Sequence, residues 1–303
     1  MSSEQLVRIE HLHRDYGQIH AVNDVSYEIA RGDVLGFLGP NGAGKSTTMQ
    51  MITGNLAPSG GEIRVCGIDL LDQPKRAKSE IGYLPEQPPV YPDLTVDEYL
   101  AYCARLHRVS KGQRDRAIDR AKQRCGLGDV GRRLIGNLSK GYRQRVGIAQ
   151  AILHNPAVVI LDEPTVGLDP RERIRFRNLM SDLSTQDRII LLSTHIVGDI
   201  SSTCETIALM DLGRVIFHGA PSDLVDSARG KVWSITTGYE DLDSWKVRFP
   251  VISTVPSEGG YELRIVAEDP DTAEAVPAEP NLEDAYIHYM QKAASGRLSG
   301  AFE

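Results

Sequence analysis

Apolar and polar positions along the 303-residue chain change period several times, and each change marks an element. LVRIEHL at 6–12 and VSYEIA at 25–30 alternate apolar with polar residues, the two-residue period of short strands with one buried face, and the turn-forming Asn23-Asp24 lies between them. DVLGFLGP at 33–40 is an apolar strand that runs into glycines, and KSTTMQMITG directly after it reads as a helix opening. SGGEIRVCG at 59–67 is a strand with turn residues at both ends. The aliphatic runs in PAVVILDEP at 156–164 and RIILLSTH at 188–195 predict two strands buried on both faces, and ETIALMDLGRVIFHG at 205–219 predicts a hairpin around Asp211-Leu212-Gly213.

Between these strands the spacing lengthens. TVDEYLAYCARLHRV at 95–109 has helical spacing with Thr95 as its N-cap, and helical signals return at 115–124 and after Ser139. Pro85, Pro88, Pro89 and Pro92 cannot donate to a ladder or continue a helix, so residues 85–92 are a shaped loop. Strands alternating with helices predict an α/β fold built on a largely parallel sheet. The character changes near residue 230. Strands at 231–238 and 261–269 flank a helical stretch at 239–249, and a further helix at 282–293 follows an acidic, proline-bearing segment. These predict a small α+β domain over 228–293 and a flexible tail over 294–303.

Composition narrows the function classes. Charged residues make up 25% and the hydrophobic set 41%, a globular balance, and the net charge of −7 disfavours general nucleic-acid binding. Against that balance, residues 105–145 hold 13 Lys or Arg and only Asp115, Asp119 and Asp129. Such a segment is a solvated basic subdomain or a face that meets a membrane protein or anionic headgroups. Cys66, Cys103, Cys125 and Cys204 form no CxxC pair and read as reduced, small core residues. The opening MSSEQLVRIEHL has no signal-peptide pattern, and no aliphatic run approaches the ~20 residues that cross a bilayer. A transport pathway, if there is one, is expected on another chain.

The chemistry is concentrated in two segments. Gly39-Pro40-Asn41-Gly42-Ala43-Gly44-Lys45-Ser46-Thr47 matches the phosphate-binding loop G-x-x-x-x-G-K-[ST], with a strand before it and a helix after it. Its glycines let backbone N–H groups approach phosphate oxygens, Lys45 adds a point charge for the β- and γ-phosphates, and Ser46 offers Mg²⁺ a hydroxyl. The strand at 158–161 ends in Asp162, suited to holding Mg²⁺ through water, and Glu163, placed to take a proton from an attacking water.

With these two segments in order, the chain resembles ABC-transporter ATP-binding subunits over about residues 4–225, which implies an ATP-binding domain at 4–227. LSKGYRQR at 138–145 resembles that family's signature segment, Gly167-Leu168-Asp169 its D-loop, His195 its switch histidine and Tyr16 its adenine-stacking aromatic. The resemblance implies a P-loop ATPase domain with a mainly parallel sheet, an antiparallel β subdomain and a helical subdomain at about 88–155. It implies ATP and Mg²⁺ as ligands, and two copies facing head to tail. Each ATP then lies between one copy's loop (Gly39, Asn41, Gly42, Ala43, Gly44, Lys45, Ser46, Thr47) and the other's Ser139 and Gly141. Lys45, Glu163 and His195 are the expected catalytic groups, and Ser46 and Asp162 the expected metal ligands. Where the family places a glutamine after Tyr-Leu-Pro, Tyr83-Leu84-Pro85 is followed by Glu86 and then Gln87, and either residue can fill that metal-side position. The signature segment also departs, with Lys140 and Tyr142 where glycine and glutamine are commonest. The segment LPEQPPVYPDLTVDEYL resembles bacterial gliding-motility-type and multidrug-type subunits. That implies an ABC-2-like membrane permease as partner, export as the direction, and a cytoplasmic site peripheral to the inner face of the cell membrane. A single phosphate loop argues against the two-cassette ABC proteins that act on ribosomes or nucleic acid, and no NKxD guanine motif supports a signalling GTPase.

Overall fold

The buried aliphatic runs assemble a parallel sheet that fixes where the chemistry stands. In the computed structural model, which describes residues 5–184 and 188–300, β1 (Gln5–Tyr16), β2 (Ile19–Ala30), β4 (Gly60–Val65) and β5 (Ile68–Asp69) form an antiparallel sheet ordered β2-β1-β4-β5. Both strands predicted as short run to 12 residues, because register shifts along their pairing let the ladder continue past breaks in alternation. The second sheet contains β3 (Val34–Leu38), β6 (Ile81–Leu84), β7 (Val158–Asp162), β8 (Ile189–Thr194), β9 (Thr206–Asp211) and β10 (Arg214–Gly219), in the order β10-β9-β3-β8-β7-β6. β3 pairs in parallel with β8 and β9, and β7 with β6 and β8. Every residue of β3, β7 and β8 is buried, which explains their unbroken apolar sequences.

Register brings the functional segments to one edge of this sheet. Leu38 lies opposite Thr194, and Asp162 opposite Ser193. The phosphate loop, the acid pair and His195 therefore all emerge at the carboxyl ends of β3, β7 and β8, the place where open α/β sheets bind ligands.

The helices of this part are α1 (Lys45–Ile52), α2 (Pro74–Ser79), α3 (Val96–Leu106), α4 (Arg114–Arg124), α5 (Lys140–Ile152), α6 (Pro170–Ser184) and α7 (Val197–Ser201). α3, α4 and α5 pack on one another between β6 and β7. Thr95 opens α3 with a capping box: its hydroxyl accepts from Glu98 N at 3.3 Å, and Glu98 Oε2 accepts from Thr95 N at 2.8 Å. The core joins the inner faces of both sheets around Phe37, Met49, Ile160 and Leu191.

The remaining chain consists of α8 (Pro221–Ser227), β11 (Val232–Gly238), α9 (Leu242–Arg248), β12 (Val251–Ser257), β13 (Gly260–Val266), β14 (Ala275–Pro277) and α10 (Leu282–Gly300). Its antiparallel sheet is ordered β12-β13-β11-β14 around Ile235, Trp245, Leu263 and Ile265. Two compact units divide at Val215 and Ile216, earlier than the expected 227/228, because α8 packs on α10 of the second unit. α10 also continues to Gly300, so the expected tail at 294–303 is helical as far as that residue, and 301–303 lie outside the described residues. Among the described residues no helix is long and apolar enough to cross a membrane.

Candidate functional site

α1 begins where the chain makes a turn that side chains resist. Gly44, the residue before Lys45, has φ +102°, and a Cβ there would stand 2.5 Å from the Ala21 carbonyl oxygen. Gly39 is held almost as closely, since its Cβ would meet the Met210 carbonyl oxygen at 2.3 Å. The loop is thus pressed against backbone on two sides and its shape is fixed before any ligand arrives.

Lys45 folds back across this loop. Its ammonium donates to Gly39 O at 2.8 Å and Pro40 O at 3.1 Å, and lies 3.6 Å from Glu163 Oε1. Burial pulls its pKa below the ordinary lysine value, while Glu163, Asp162 and Glu86 pull it back up. Ser46 Oγ donates to Asp162 Oδ1 at 3.0 Å, tying the loop to the end of β7. Burial pushes the Asp162 carboxyl above its usual range, opposed by the hydrogen bonds from Ser193 and Ser46. His195 Nδ1 lies 3.0 Å from Glu163 Oε2. Glu163 has φ +47°, a left-handed conformation that a non-glycine residue keeps only when its surroundings impose it. Those surroundings are the Ser193 carbonyl and hydroxyl, which both accept from Glu163 N at 3.1 Å.

These groups face a cleft of about 610 Å³ lined by Asn41, Gly42, Gly44, Lys45, Ser46 and Thr47 on the loop side. Glu86, Glu163 and His195 complete the lining, and Asp162 lies behind it, bonded to Ser46. Gly39 and Ala43 lie outside the lining and shape the loop from behind, Ala43 through hydrogen bonds to Pro40 and Gly213. Of the two candidates after Pro85, the structure brings Glu86 to the cleft. Gln87 lines a neighbouring groove with Lys140, Arg143 and Gln144 instead, because the proline-rich loop turns away after Glu86.

Three expected ligand contacts are not brought to this cleft within one chain. Tyr16 ends β1 at 47% exposure, with the Arg14 guanidinium 4.6 Å from its ring centroid. Ser139 caps α5 by accepting from Tyr142 N at 3.3 Å, and Gly141 lies against Glu172. Asp169 of the expected D-loop accepts from Glu172 N at 2.9 Å and opens α6. Ser193, Ala21 and Val166 were missed by the sequence reading. Ala21 and Val166 carry no chemical signature, and Ser193 becomes visible only through the pairing of β7 with β8.

The donor set fits a magnesium–triphosphate. A loop of backbone N–H groups and one ammonium faces the oxygen groups of Ser46, Asp162 and Glu86, which are hard ligands suited to Mg²⁺. Among the described residues no group of three or more His, Cys, Asp or Glu is arranged to hold a metal without a substrate.

Comparison with known proteins agrees with this geometry. The family model described as ABC transporter matches residues 22–166. An uncharacterised ABC transporter ATP-binding protein, YxlF of Bacillus subtilis, is 34% identical over 262 residues, covering 85% of this chain and 86% of that protein. The Nod factor export ATP-binding protein I of Cupriavidus pinatubonensis is 32% identical over 225 residues, covering 74% of this chain and 69% of its own. A solved ATP-binding subunit of an ABC transporter superposes with a TM-score of 0.67 at 31% identity, covering 73% of this chain and 92% of that one.

Proposed function

Since the chain belongs to the ABC transporter ATP-binding protein family, whose members are ATPases that drive transport, we propose that it works as a dimer closed over two ATP molecules and moves a separate membrane permease. One observation supports the site assignment: Ser46–Asp162 and Lys45–Glu163 tie a phosphate-binding loop directly to an acid pair at one cleft. Backbone N–H groups from Asn41 to Thr47 and the Lys45 ammonium hold the β- and γ-phosphates. Ser46, Asp162 and Glu86 would hold Mg²⁺, which would supply positive charge to the phosphates. Glu163 takes the proton of the attacking water, and His195, bonded to its other oxygen, keeps the carboxylate aimed. Lys45 has a second role. By turning to the γ-phosphate it gives up its contact with Glu163 Oε1 and leaves that oxygen for water.

The exposed Tyr16 ring serves the adenine. Ser139, exposed at the start of α5, and the half-buried Gly141 beside it are absent from their own chain's cleft and serve the γ-phosphate in the second copy's cleft. The loop after β6 supports the coupling role. It gives Glu86 to the cleft, and Pro85 and Pro89 to an apolar groove of about 600 Å³ walled by Tyr83, Tyr91, Tyr99 and Tyr102. A permease segment seated in that groove touches the same short loop that senses phosphate. The relative concerned with Nod factor export and the resemblance of residues 84–100 to multidrug-type subunits support export through an ABC-2-like permease. On this reading the chain works at the cytoplasmic face of the membrane, with no nucleic-acid partner.

Steady-state ATPase measurement on Glu163→Gln tests the central role. Turnover should fall about 100-fold or more while ATP still binds. Undiminished turnover would remove Glu163 from the base position.

A further inference from the structure

A further cavity, of about 590 Å³, opens in the first unit between the end of α3, the start of α4 and the end of α5. Its lining includes three guanidinium groups, Arg108, Arg116 and Arg120, and no carboxylate. None of the three makes an ion pair among the described residues, although Asp115 and Asp119 lie on the same helix as two of them. All three are exposed to solvent, so their charges stand at the mouth of the cavity, where an entering anion is attracted by each of them. The surroundings add to this charge. Arg188 is 4% exposed, and burial together with the charges of Arg124 and Arg120 draws its pKa down to about 10.

The cavity is also built rather than incidental. Arg108 has φ +57° in the position after α3 where glycine is usual, closed by Val109 N donating to Ala104 O at 2.9 Å. The following turn is pinned by Arg114 Nε on Val109 O at 2.8 Å and by Ser110 Oγ on Gln113 Oε1 at 3.0 Å. This fixed backbone sets the direction in which the Arg108 side chain leaves the turn. Asn155 Oδ1 accepts from the Arg188 guanidinium, which leaves the Asn155 amide nitrogen to donate into the cavity. The floor is uncharged. His107 and His154 stack with centroids 3.8 Å apart, and His154 Nε2 donates to Ile81 O at 3.1 Å.

We propose that this cavity is a second anion site, separate from the ATP cleft, which takes a phosphate-bearing ligand of two or more negative charges, a phosphomonoester or diphosphate group, through Arg108, Arg116 and Arg120. Guanidinium forks match phosphate oxygens in pairs, and the volume suits a small ligand or one lipid headgroup. His107 lines both this cavity and the apolar groove, so a ligand that fixes the turn after α3 also fixes one wall of that groove. The anion site does not depend on the proposed permease coupling. Its link to the groove does.

The test is calorimetric titration of inorganic pyrophosphate into the full chain carrying Lys45→Ala, which disables the ATP cleft. Binding should persist there and weaken about tenfold or more when Arg116→Gln and Arg120→Gln are added. The same two changes in the otherwise unaltered protein should leave ATP affinity and basal turnover as they were. Cosedimentation with phosphatidylcholine vesicles, with and without phosphatidic acid, identifies the source. Arginine-dependent capture by phosphatidic acid assigns a lipid headgroup, and pyrophosphate binding without vesicle capture assigns a soluble ligand. The proposal is overturned if neither probe binds, or if the arginine changes alter neither.

Discussion

The hydroxyl of Ser193 donates to Asp162 Oδ1 and accepts from Glu163 N, so one buried atom orders both acids. Ser193→Ala removes both bonds and leaves Glu163 N with only the Ser193 carbonyl. Bonds of this kind to a charged group contribute about 1.5–3 kcal/mol, so kcat should fall about 10- to 100-fold while KM for ATP changes little. A steady-state titration separates the two parameters, and an equal loss in KM would point to damage in the phosphate loop instead. His154 provides a pH prediction from the same scale. Burial, with the neighbouring His107 next, draws its pKa down to about 4 from 6.5. Between those values the unfolded chain binds the extra proton, so stability is complete above about 6.5 and is lost as pH falls towards 4. The midpoint of urea unfolding should drop across that window, and His154→Gln should flatten it by an amount on the order of 2 kcal/mol.

At the scale of elements, the phosphate loop is the least forgiving. Gly44→Ala places a methyl group 2.5 Å from Ala21 O in a backbone with φ +102°. It should cost about 1–3 kcal/mol of stability and weaken ATP binding, read by thermal unfolding and by nucleotide titration. This loop, the acid pair and the buried strands could be read from residues because each needs contiguous, chemically distinctive positions. Five apolar residues running into Asp162-Glu163 leave few alternatives for β7. Other features depend on chain pairings that no local pattern encodes. The direction of Glu86 and Gln87 follows from the path of a proline loop, and the Ser193 link exists only because β8 lies beside β7. β12 was hidden for a different reason. Its sequence VISTVPS contains Pro256, which a strand tolerates at the edge of a sheet, and β12 is the edge of β12-β13-β11-β14. The basic cavity draws on α3, α4 and α5, so the sequence could show its charge but not its shape.

For the whole molecule, the proposed function divides the chemistry between two chains. Lys45, Glu163 and His195 converge in one cleft, with Asp162 bonded to Ser46 behind its lining, while Ser139 stands exposed at the cap of α5 outside that cleft. The second unit has its own core and its own internal tie, in which Arg264 Nε donates to the fully buried Asp284 at 2.8 Å. Arg264→Met strands that carboxylate and should destabilise the second unit by about 3–5 kcal/mol, visible by calorimetry, with ATP affinity retained in the first unit. The account as a whole rests on a shared nucleotide. Sedimentation equilibrium of Glu163→Gln with magnesium and ATP measures this directly. The account predicts a species of twice the chain mass that returns to one chain when ADP replaces ATP, and a single-chain mass with ATP demonstrably bound would contradict it.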